Sequence, residues 1–363
     1  MGFKCGIVGL PNVGKSTLFN ALTSSSVAQA ANYPFCTIEP NVGIVGVPDV
    51  RLSRLAEIAG SHKIISANME FVDIAGLVKG ASKGEGLGNQ FLGHIRQVDA
   101  IIHVLRCFDD IDITHVHGKV DPVFDAEIIE TELILADLES VEKRLNTAQK
   151  RSNSGDKTLK DQIELLQIVY DVLAEGKPAR TLKIDAAELN QLQILTSKPI
   201  LYVCNVLESE ASSGNKYSKM VEEKAAKEGA KSIVISSKIE EEISQLESEF
   251  DKIAFLNGIG LEETGLSRII RAGYDLLSLK SYFTIGPKEA RAWTFTEGTS
   301  APQAAGIIHT DFEKGFIRAE VIAYDEYVSL GGEAKAKETG KMRLEGKEYK
   351  VLDGDVVHFR FNV

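Results

Sequence analysis

The sequence has few of the residues that mark a secreted or zinc-bound protein. Its 363 residues include only four cysteines, which are scattered without a C-x-x-C pair. This spacing predicts a reduced protein without a structural zinc site. No apolar run approaches the roughly 20 residues that span a membrane, and a strand pattern begins at Phe3, where a signal peptide would have to lie. We therefore expect a cytoplasmic protein without a membrane partner.

The chain also has fewer basic than acidic residues. The chain has 41 Lys and Arg against 52 Asp and Glu, for a net charge of −11. A chain with this balance does not attract nucleic acid as a whole, so we expect no DNA partner, and an RNA partner requires a local basic patch. The sequence has no internal repeat, and its length predicts about two or three globular domains.

Alternating strand and helix patterns run through two parts of the chain, residues 1–125 and 198–280. Strands are predicted at 43–47, 69–73 and 100–105, and helices near 51–58 and 87–96. Such alternation is typical of a parallel sheet with helices on both faces. We predict that the two parts form one α/β domain and that residues 126–197 are inserted into it.

The inserted segment has the pattern of two long amphipathic helices separated by a polar break at 152–155, which predicts a helical hairpin. Basic residues cluster near its turn: Lys143, Arg144, Lys150, Arg151, Lys157 and Lys160. This basic tip either meets a phosphate backbone or is only a solvated face, and the sequence leaves both open. Residues 281–363 have short alternating runs and predict a small, sheet-rich α+β domain.

A phosphate-binding pattern stands near the start of the chain. Gly9–Ser16 reads G-x-x-x-x-G-K-S between a strand pattern and a helix pattern, which is the context that this motif requires. Lys15 would reach the β- and γ-phosphates as a binding and catalytic group, and the Ser16 hydroxyl would bind Mg²⁺. The predicted phosphate contacts are Asn12, Val13, Gly14, Lys15, Ser16 and Thr17. A chance glycine-rich turn is the alternative.

Two further elements would complete a switch-type site. Asp73–Gly76 reads D-x-x-G at the end of a predicted strand. Asp73 would hold the water shell of Mg²⁺, and the Gly76 N–H would bond the γ-phosphate. Thr37, in a loop with two prolines, would complete the metal shell when nucleotide binds. The alternatives are an ordinary strand-end turn and a plain loop threonine.

The residue after Gly76 is Leu77, where nucleotide hydrolases often have a glutamine that orients the attacking water. Leucine cannot orient water, so another group must do so or turnover is slow. His115, on the loop at 109–119, is the candidate, because histidine can orient water or transfer a proton near neutral pH. A solvated loop histidine is the alternative.

A purine site is predicted after the strand at 199–204. Guanine is normally read by N-K-x-D, whereas Asn205–Glu208 reads N-V-L-E, with a longer acid and no lysine. This change weakens the case for GTP, while Asn205 can still bond a purine N7 or brace the phosphate loop. The predicted base contacts are Asn205, Val206, Glu208, Ser236 and Ser237. A helix-cap turn is the alternative.

Four long segments of the sequence resemble one protein family. They are Met1–Thr17, Ala31–Asn41, Phe71–Ala81 and Ala301–Phe316. These segments resemble YchF, the Obg-like ATPase family of translation-factor-class P-loop proteins, and the resemblance covers nearly the whole chain. It implies a P-loop nucleotide hydrolase domain (1–125 and 198–280), an inserted coiled-coil arm (126–197) and a C-terminal TGS domain of ubiquitin-like β-grasp fold (281–363).

The resemblance also implies activity and partners. Members of the family prefer ATP to GTP and have N-x-x-E at the base site, which Asn205 and Glu208 match. They have an apolar residue at the position of Leu77 and an activating histidine on the loop after an R-C-F word, which identifies His115. Family members associate with the ribosome or its large subunit, in agreement with the basic arm tip and the TGS domain.

We therefore expect an Mg²⁺-dependent ATPase with slow intrinsic turnover that acts as a ribosome-associated nucleotide switch. A conventional GTPase translation factor is the first alternative, and Asn205–Glu208 argues against it. The second is an RNA-binding module whose nucleotide site is structural, an alternative that Leu77 keeps open.

Overall fold

The computed structural model describes residues 3–30, 41–74, 87–151 and 157–362. Their contacts divide the chain into two compact units. One unit contains Met1–Ile44 and Glu70–Ile269, and the other contains Val45–Met69 and Ile270–Val363. Thr37, Gly76 and Leu77, together with the polar turn at 152–155, lie outside the described residues.

A six-stranded sheet forms the core of the first unit. Its strands are β1 (Lys4–Val8), β2 (Val42–Gly46), β4 (Asn68–Asp73), β5 (Ala100–Arg106), β6 (Ile200–Asn205) and β7 (Lys231–Ile235). Their order is β2-β4-β1-β5-β6-β7, and the pairs from β4 to β7 are parallel. Every residue of β5 and β6 is buried, as expected for central strands covered on both faces. The carboxyl ends of these strands therefore meet at one edge.

Helices surround this sheet. They are α1 (Lys15–Ala30), α3 (Leu87–Arg96), α7 (Lys216–Glu228), α8 (Ser237–Ser244), α9 (Glu249–Gly258) and the start of α10 (Gly265–Leu276), whose residues from Ile270 onward belong to the second unit. Local chemistry sets their ends. For example, Asn215 and Ser218 form a capping box before α7, and Gly229 ends that helix in the left-handed conformation with φ 68°.

The inserted arm consists of α4 (Pro122–Arg151), α5 (Lys157–Ala174) and the short α6 (Ala186–Gln191). The two long helices pack through an apolar seam that includes Val141, Leu166 and Val169. At the base of the arm, the buried Asp137 carboxylate accepts hydrogen bonds from the backbone N–H groups of Leu195 and Thr196 at 2.9 and 2.8 Å. These bonds fix the point at which the chain returns to the sheet.

An ion cluster also anchors the base of the arm. Arg180 pairs with Glu130 of α4. The Lys224 ammonium of α7 is 2.6 Å from Glu228 and 3.5 Å from Glu130. Glu228 also accepts a 2.7 Å hydrogen bond from the Tyr202 hydroxyl of β6. Side chains of the arm and of the sheet are thus held in one network with little solvent exposure, where salt screens charges weakly.

The second unit has its own six-stranded sheet. Its strands are β3 (Lys63–Ile65), β8 (Leu279–Ile285), β9 (Glu289–Thr296), β10 (Phe316–Ala323), β11 (Arg343–Glu345) and β12 (Asp355–Phe361), in the order β11-β10-β12-β8-β9-β3. Its helices are α2 (Val50–Ala59), α11 (Ala301–Ile308), α12 (Thr310–Lys314), α13 (Tyr324–Leu330) and α14 (Glu333–Glu338). Tyr282, Phe295 and Phe359 fill its core.

Residues 45–69 pack with the C-terminal sheet, although they lie within the segment 1–125. Strand β3 pairs in parallel with β9, and Arg51 of α2 bonds the Asp353 carboxylate at 3.0 Å. Periodicity identified this helix but did not indicate which sheet it packs against, because partner choice is a long-range property. The three-part domain boundaries therefore stay a prediction.

The predicted fold class is confirmed: an α/β domain with a parallel sheet carries a helical insertion and is followed by a C-terminal domain. Among the residues described, Cys5, Cys107 and Cys204 are buried and form no disulfide. No described helix is both long enough and apolar enough to cross a membrane.

Candidate functional site

The phosphate loop connects the end of β1 to the first residue of α1. Gly14 has a φ of 96°, and a Cβ built at this position would lie 2.3 Å from Asn205 Nδ2, so the loop requires glycine here. The Leu18 N–H donates to the Gly14 carbonyl oxygen at 3.0 Å and starts the helix. The free N–H groups of the first turn remain available to an anion.

Lys15 lies folded across this loop. Its side chain is largely buried, and the ammonium donates a 3.0 Å hydrogen bond to the carbonyl oxygen of Leu10. Burial lowers the pKa of Lys15, and the nearby Asp73 carboxylate opposes that shift. A buried ammonium with one hydrogen-bond acceptor among the described residues has hydrogens left for phosphate oxygens.

Asp73 ends β4 beside β1, where it is in register with Ile7. Burial raises the pKa of its carboxyl, and the Lys15 ammonium opposes this effect. The Oδ1 atom of Asp73 is buried and has no hydrogen-bond partner within the described ranges. A buried carboxylate oxygen of this kind needs a cation, a water or a proton.

The donor set around Ser16 and Asp73 fits Mg²⁺. The described residues contain no cluster of three or more His, Cys, Asp or Glu that would hold a metal by itself. Mg²⁺ is commonly bound by one or two protein oxygens, with phosphate and water filling the remaining positions. This kind of partial shell can be supplied by the exposed Ser16 at the start of α1 and by Asp73 Oδ1, for which the described part of the chain offers no hydrogen bond.

Asn205 joins the phosphate loop to the first residue of α8. Its side chain is 5% exposed. Asn205 Nδ2 donates to the Val13 carbonyl oxygen at 2.9 Å, and Asn205 Oδ1 accepts from the Ser237 N–H at 2.9 Å. Of the two roles predicted for Asn205, this geometry shows bracing of the phosphate loop. The second hydrogen of its amide is left for another acceptor.

The remaining predicted base contacts differ in accessibility. The Val206 side chain is buried and its N–H donates to the Ile235 carbonyl oxygen at 2.8 Å, so its side chain is not available to a base. Ser236 and Ser237 are both buried. Glu208 is partly exposed and lies 2.5 Å from the Lys238 ammonium, whose hydrogen bond lowers the pKa of the Glu208 carboxyl.

His115 lies on the loop between β5 and α4. The loop approaches the phosphate loop, because Asn12 Nδ2 donates to the Thr114 carbonyl oxygen at 3.3 Å. The His115 imidazole itself points to Asp125 of α4, with 2.9 Å between Nε2 and Oδ2. The structure thus brings the loop of His115 to the phosphate site but places the ring against a carboxylate.

The sequence-based interpretation gave no role to two residues that contact this loop from β5 and α4. Arg106 is buried, and its guanidinium donates to the carbonyl oxygens of Phe108, Asp110 and Ile113. A charged residue at the end of an apolar strand was the available signal, because a buried arginine needs several acceptors. Asp125 had no such signal, because its partner is ten residues away on an irregular loop.

The basic residues of the arm differ in what they contact. Lys143 pairs with Glu139 at 2.5 Å, and Arg144 donates to the Leu192 carbonyl oxygen at 2.5 Å. Lys150 and Arg151 lie in the last turn of α4. Cations at this position also interact favourably with the helix dipole, so the basic tip has a structural explanation beside the functional one.

Two family models match the chain. The model described as a 50S ribosome-binding GTPase (MMR_HSR1) matches residues 4–133, and the model of the YchF GTPase C-terminal region, described as a protein of unknown function, matches residues 279–362. The chain is 57% identical to the ribosome-binding ATPase YchF of Haemophilus ducreyi and 56% identical to that of Bacillus subtilis, with 100% of each chain covered. The chain belongs to the YchF family.

A solved structure agrees with this assignment. The YchF GTPase of Schizosaccharomyces pombe superposes with a TM-score of 0.90 at 40% identity, over 99% of this chain and 98% of that one. The two sets of names differ in the nucleotide, since the bacterial relatives are named ATPases and the yeast structure a GTPase. Membership of the YchF family therefore leaves the choice of base to be argued from the site.

Proposed function

We propose that this chain is an Mg²⁺-dependent ATPase that prefers ATP to GTP and associates with the ribosome or its large subunit as a nucleotide switch in the cytoplasm. The main support is the arrangement of Lys15 and Asp73: a largely buried ammonium lies at the start of α1, near a carboxylate whose buried Oδ1 has no hydrogen-bond partner among the residues described. Relatives with more than half of their residues identical are named ribosome-binding ATPases.

The residues of the site have distinct roles in this proposal. Bound Mg²⁺ would neutralise charge on the transferred phosphoryl group. Lys15 and the N–H groups of the loop bind the phosphates, while Ser16 and, through water, Asp73 hold the metal. Thr37 and Gly76, outside the described residues, would contact the metal and the γ-phosphate. Phosphoryl transfer depends mainly on such positioning and charge stabilisation.

The proposed preference for adenine follows from the ion pair that Glu208 already makes with Lys238. A guanine base offers its N1–H and amino hydrogens to a carboxylate, whereas the N1 atom of adenine is an acceptor. The Glu208 carboxylate already accepts from Lys238, so guanine would have to displace an ion pair to be read. Asn205 keeps one amide hydrogen that suits a purine N7, which adenine and guanine share.

Nucleotide competition tests this preference. We expect ADP to bind at least about tenfold more tightly than GDP, since one charge-assisted contact of roughly 1.5 kcal/mol separates them. Fluorescent ADP and GDP analogues titrated into the same protein, with unlabelled competitors, give both dissociation constants. Clearly tighter GDP binding would contradict ATP specificity and favour a conventional GTPase.

Lys238→Met serves as the matched variant in the same titration. It removes the partner of Glu208 on an exposed side chain, so folding should be unaffected. We expect GDP affinity to rise relative to ADP, because the freed carboxylate can accept from guanine. A Lys231→Met variant, on β7, removes the same charge from another position.

Ribosome association is assigned to the arm tip. Neutralising Lys150, Arg151 and Lys157 together should lower ribosome affinity and reduce the salt slope of binding by about 2 to 3, because each phosphate contact releases counterions. Cosedimentation with ribosomes at several salt concentrations measures both quantities. Unchanged binding would exclude the arm tip as a ribosome contact.

A control variant with the same loss of charge distinguishes the effect of the arm tip from the effect of net charge. It neutralises three exposed lysines of α7, in the first unit: Lys216, Lys219 and Lys227. The α7 variant should keep its ribosome affinity. Equal weakening by both variants would show that only long-range attraction by net charge is being measured.

A further inference from the structure

A buried histidine–aspartate pair lies beside the phosphate loop. The side chain of His115 is 7% exposed and that of Asp125 is 1% exposed, with 2.9 Å between Nε2 and Oδ2. Burial raises the pKa of the Asp125 carboxyl, and the hydrogen bond from His115 opposes that shift. The other oxygen of Asp125, Oδ1, has no hydrogen-bond partner in the described parts of the chain. His115 is therefore the hydrogen-bonding partner that the structure shows for this carboxylate.

Both ring nitrogens of His115 are engaged within the protein. The His117 backbone N–H lies 3.1 Å from His115 Nδ1. A backbone N–H only donates, so Nδ1 accepts, and a neutral ring then carries its hydrogen on Nε2 and donates it to Asp125. In this position neither nitrogen is left for a water molecule. His115 can orient water only after it leaves at least one of these two partners.

The rest of the loop is held separately from the histidine. Arg106 bonds three carbonyl oxygens between residues 108 and 113, and the Tyr217 hydroxyl donates to Asp109 at 2.8 Å. Thr114 contacts Asn12 of the phosphate loop. Residues 108–113 are therefore held by contacts that do not involve the His115 ring, and Asp125 is the partner on α4 that the ring would leave to reach the phosphate site.

We propose that Asp125 is a positioning residue that stores His115 as the Nε2–H tautomer and so limits how often it reaches the phosphate site. The proposal rests on the proposed ATPase function and on the prediction from the sequence that His115 orients the attacking water. Departure of the ring leaves a buried carboxylate without its partner, which is unfavourable, so most molecules keep the pair. Asp125 belongs to the first turn of α4, and movement of this arm helix would change the pair directly.

Asp125→Asn tests the storage role. Its amide oxygen still accepts from Nε2–H, so the fold is kept, but the bond is no longer charge-assisted and the departing ring leaves no buried charge. We expect basal ATP turnover to rise about tenfold, with nucleotide affinity unchanged, from the difference between charged and neutral hydrogen bonds. Unchanged or lower turnover would overturn the proposal.

The double variant His115→Ala/Asp125→Asn shows whether the increase acts through the histidine. It should turn over no faster than His115→Ala alone. An increase that persists without His115 overturns the proposal, whereas normal turnover of His115→Ala itself would overturn the proposed catalytic role instead. Asp121→Asn removes one carboxylate from the same helix start, keeps the cap acceptor for the Phe124 N–H, and should leave turnover unchanged.

A spectroscopic measurement tests the stored state without reference to activity. In ¹⁵N-labelled full-length protein, the imidazole resonances that disappear in His115→Ala belong to His115. They should show a protonated Nε2 and an unprotonated Nδ1, and this preference should weaken in Asp125→Asn. A His115 ring protonated at Nδ1 alone, or one that averages freely between tautomers in the unmodified protein, would contradict storage by Asp125.

Discussion

Replacing Lys15 by alanine should weaken ATP binding at least about 100-fold, because charge-assisted hydrogen bonds to phosphate contribute roughly 1.5–3 kcal/mol each and two are lost. The Lys15 ammonium is folded across the phosphate loop onto the carbonyl oxygen of Leu10, where its remaining hydrogens can meet phosphate oxygens. Titration with a fluorescent ATP analogue measures the change.

Lys4→Ala is the matched control for this variant. Lys4 precedes the same loop on β1, and its ammonium pairs with Glu70 at 3.2 Å, away from the loop. We expect its nucleotide affinity to be normal. Thermal unfolding without nucleotide checks that Lys15→Ala is still folded at the temperature of the titration. Normal ATP affinity of Lys15→Ala would contradict the assignment of this loop.

His115→Ala should lower ATP turnover about 100-fold, at the low end of what a positioned acid–base group contributes, while the dissociation constants for ATP and ADP stay within about twofold. The low end is expected because most molecules hold the ring on Asp125. Steady-state phosphate release gives the turnover, and the fluorescent titration gives the affinities.

His62→Ala, which removes an exposed histidine of the other unit, is the control for that measurement. Turnover of His115→Ala equal to that of the control would end the catalytic role of His115. An unmodified protein without measurable ATP turnover would support the alternative of an RNA-binding module with a structural nucleotide site.

The local parts of this fold could be predicted from the sequence. Apolar runs indicated the buried strand β5 and the position of β4, and helical spacing indicated α4 and α5. The phosphate loop was recognisable because its chemistry uses consecutive residues. These features depend on neighbours within a few positions, where periodicity and turn chemistry carry the information.

The contacts that the sequence did not show join distant residues. Asn205 lies 192 positions from the Val13 carbonyl that it braces, and the approach of Gly14 to Asn205 depends on both loops being in place. The sequence indicated that Asn205 mattered but left open whether it faced a base or the loop. Likewise, it identified His115 but not Asp125, because nothing in a linear pattern indicates which carboxylate a loop residue will meet.

The length of α4 limits how a partner at the arm tip can influence the nucleotide site. Asp125 and Arg151 lie 26 positions apart in one helix, which corresponds to about 39 Å along its axis. Because the Debye length at physiological salt is about 8 Å, the field of a charged surface bound at the tip is almost completely screened at Asp125. A ribosome that accelerates turnover through this arm must therefore tilt, bend or slide the helix. Added salt will lower the affinity of the ribosome for the arm, but the turnover rate of the ribosome-bound protein will stay the same.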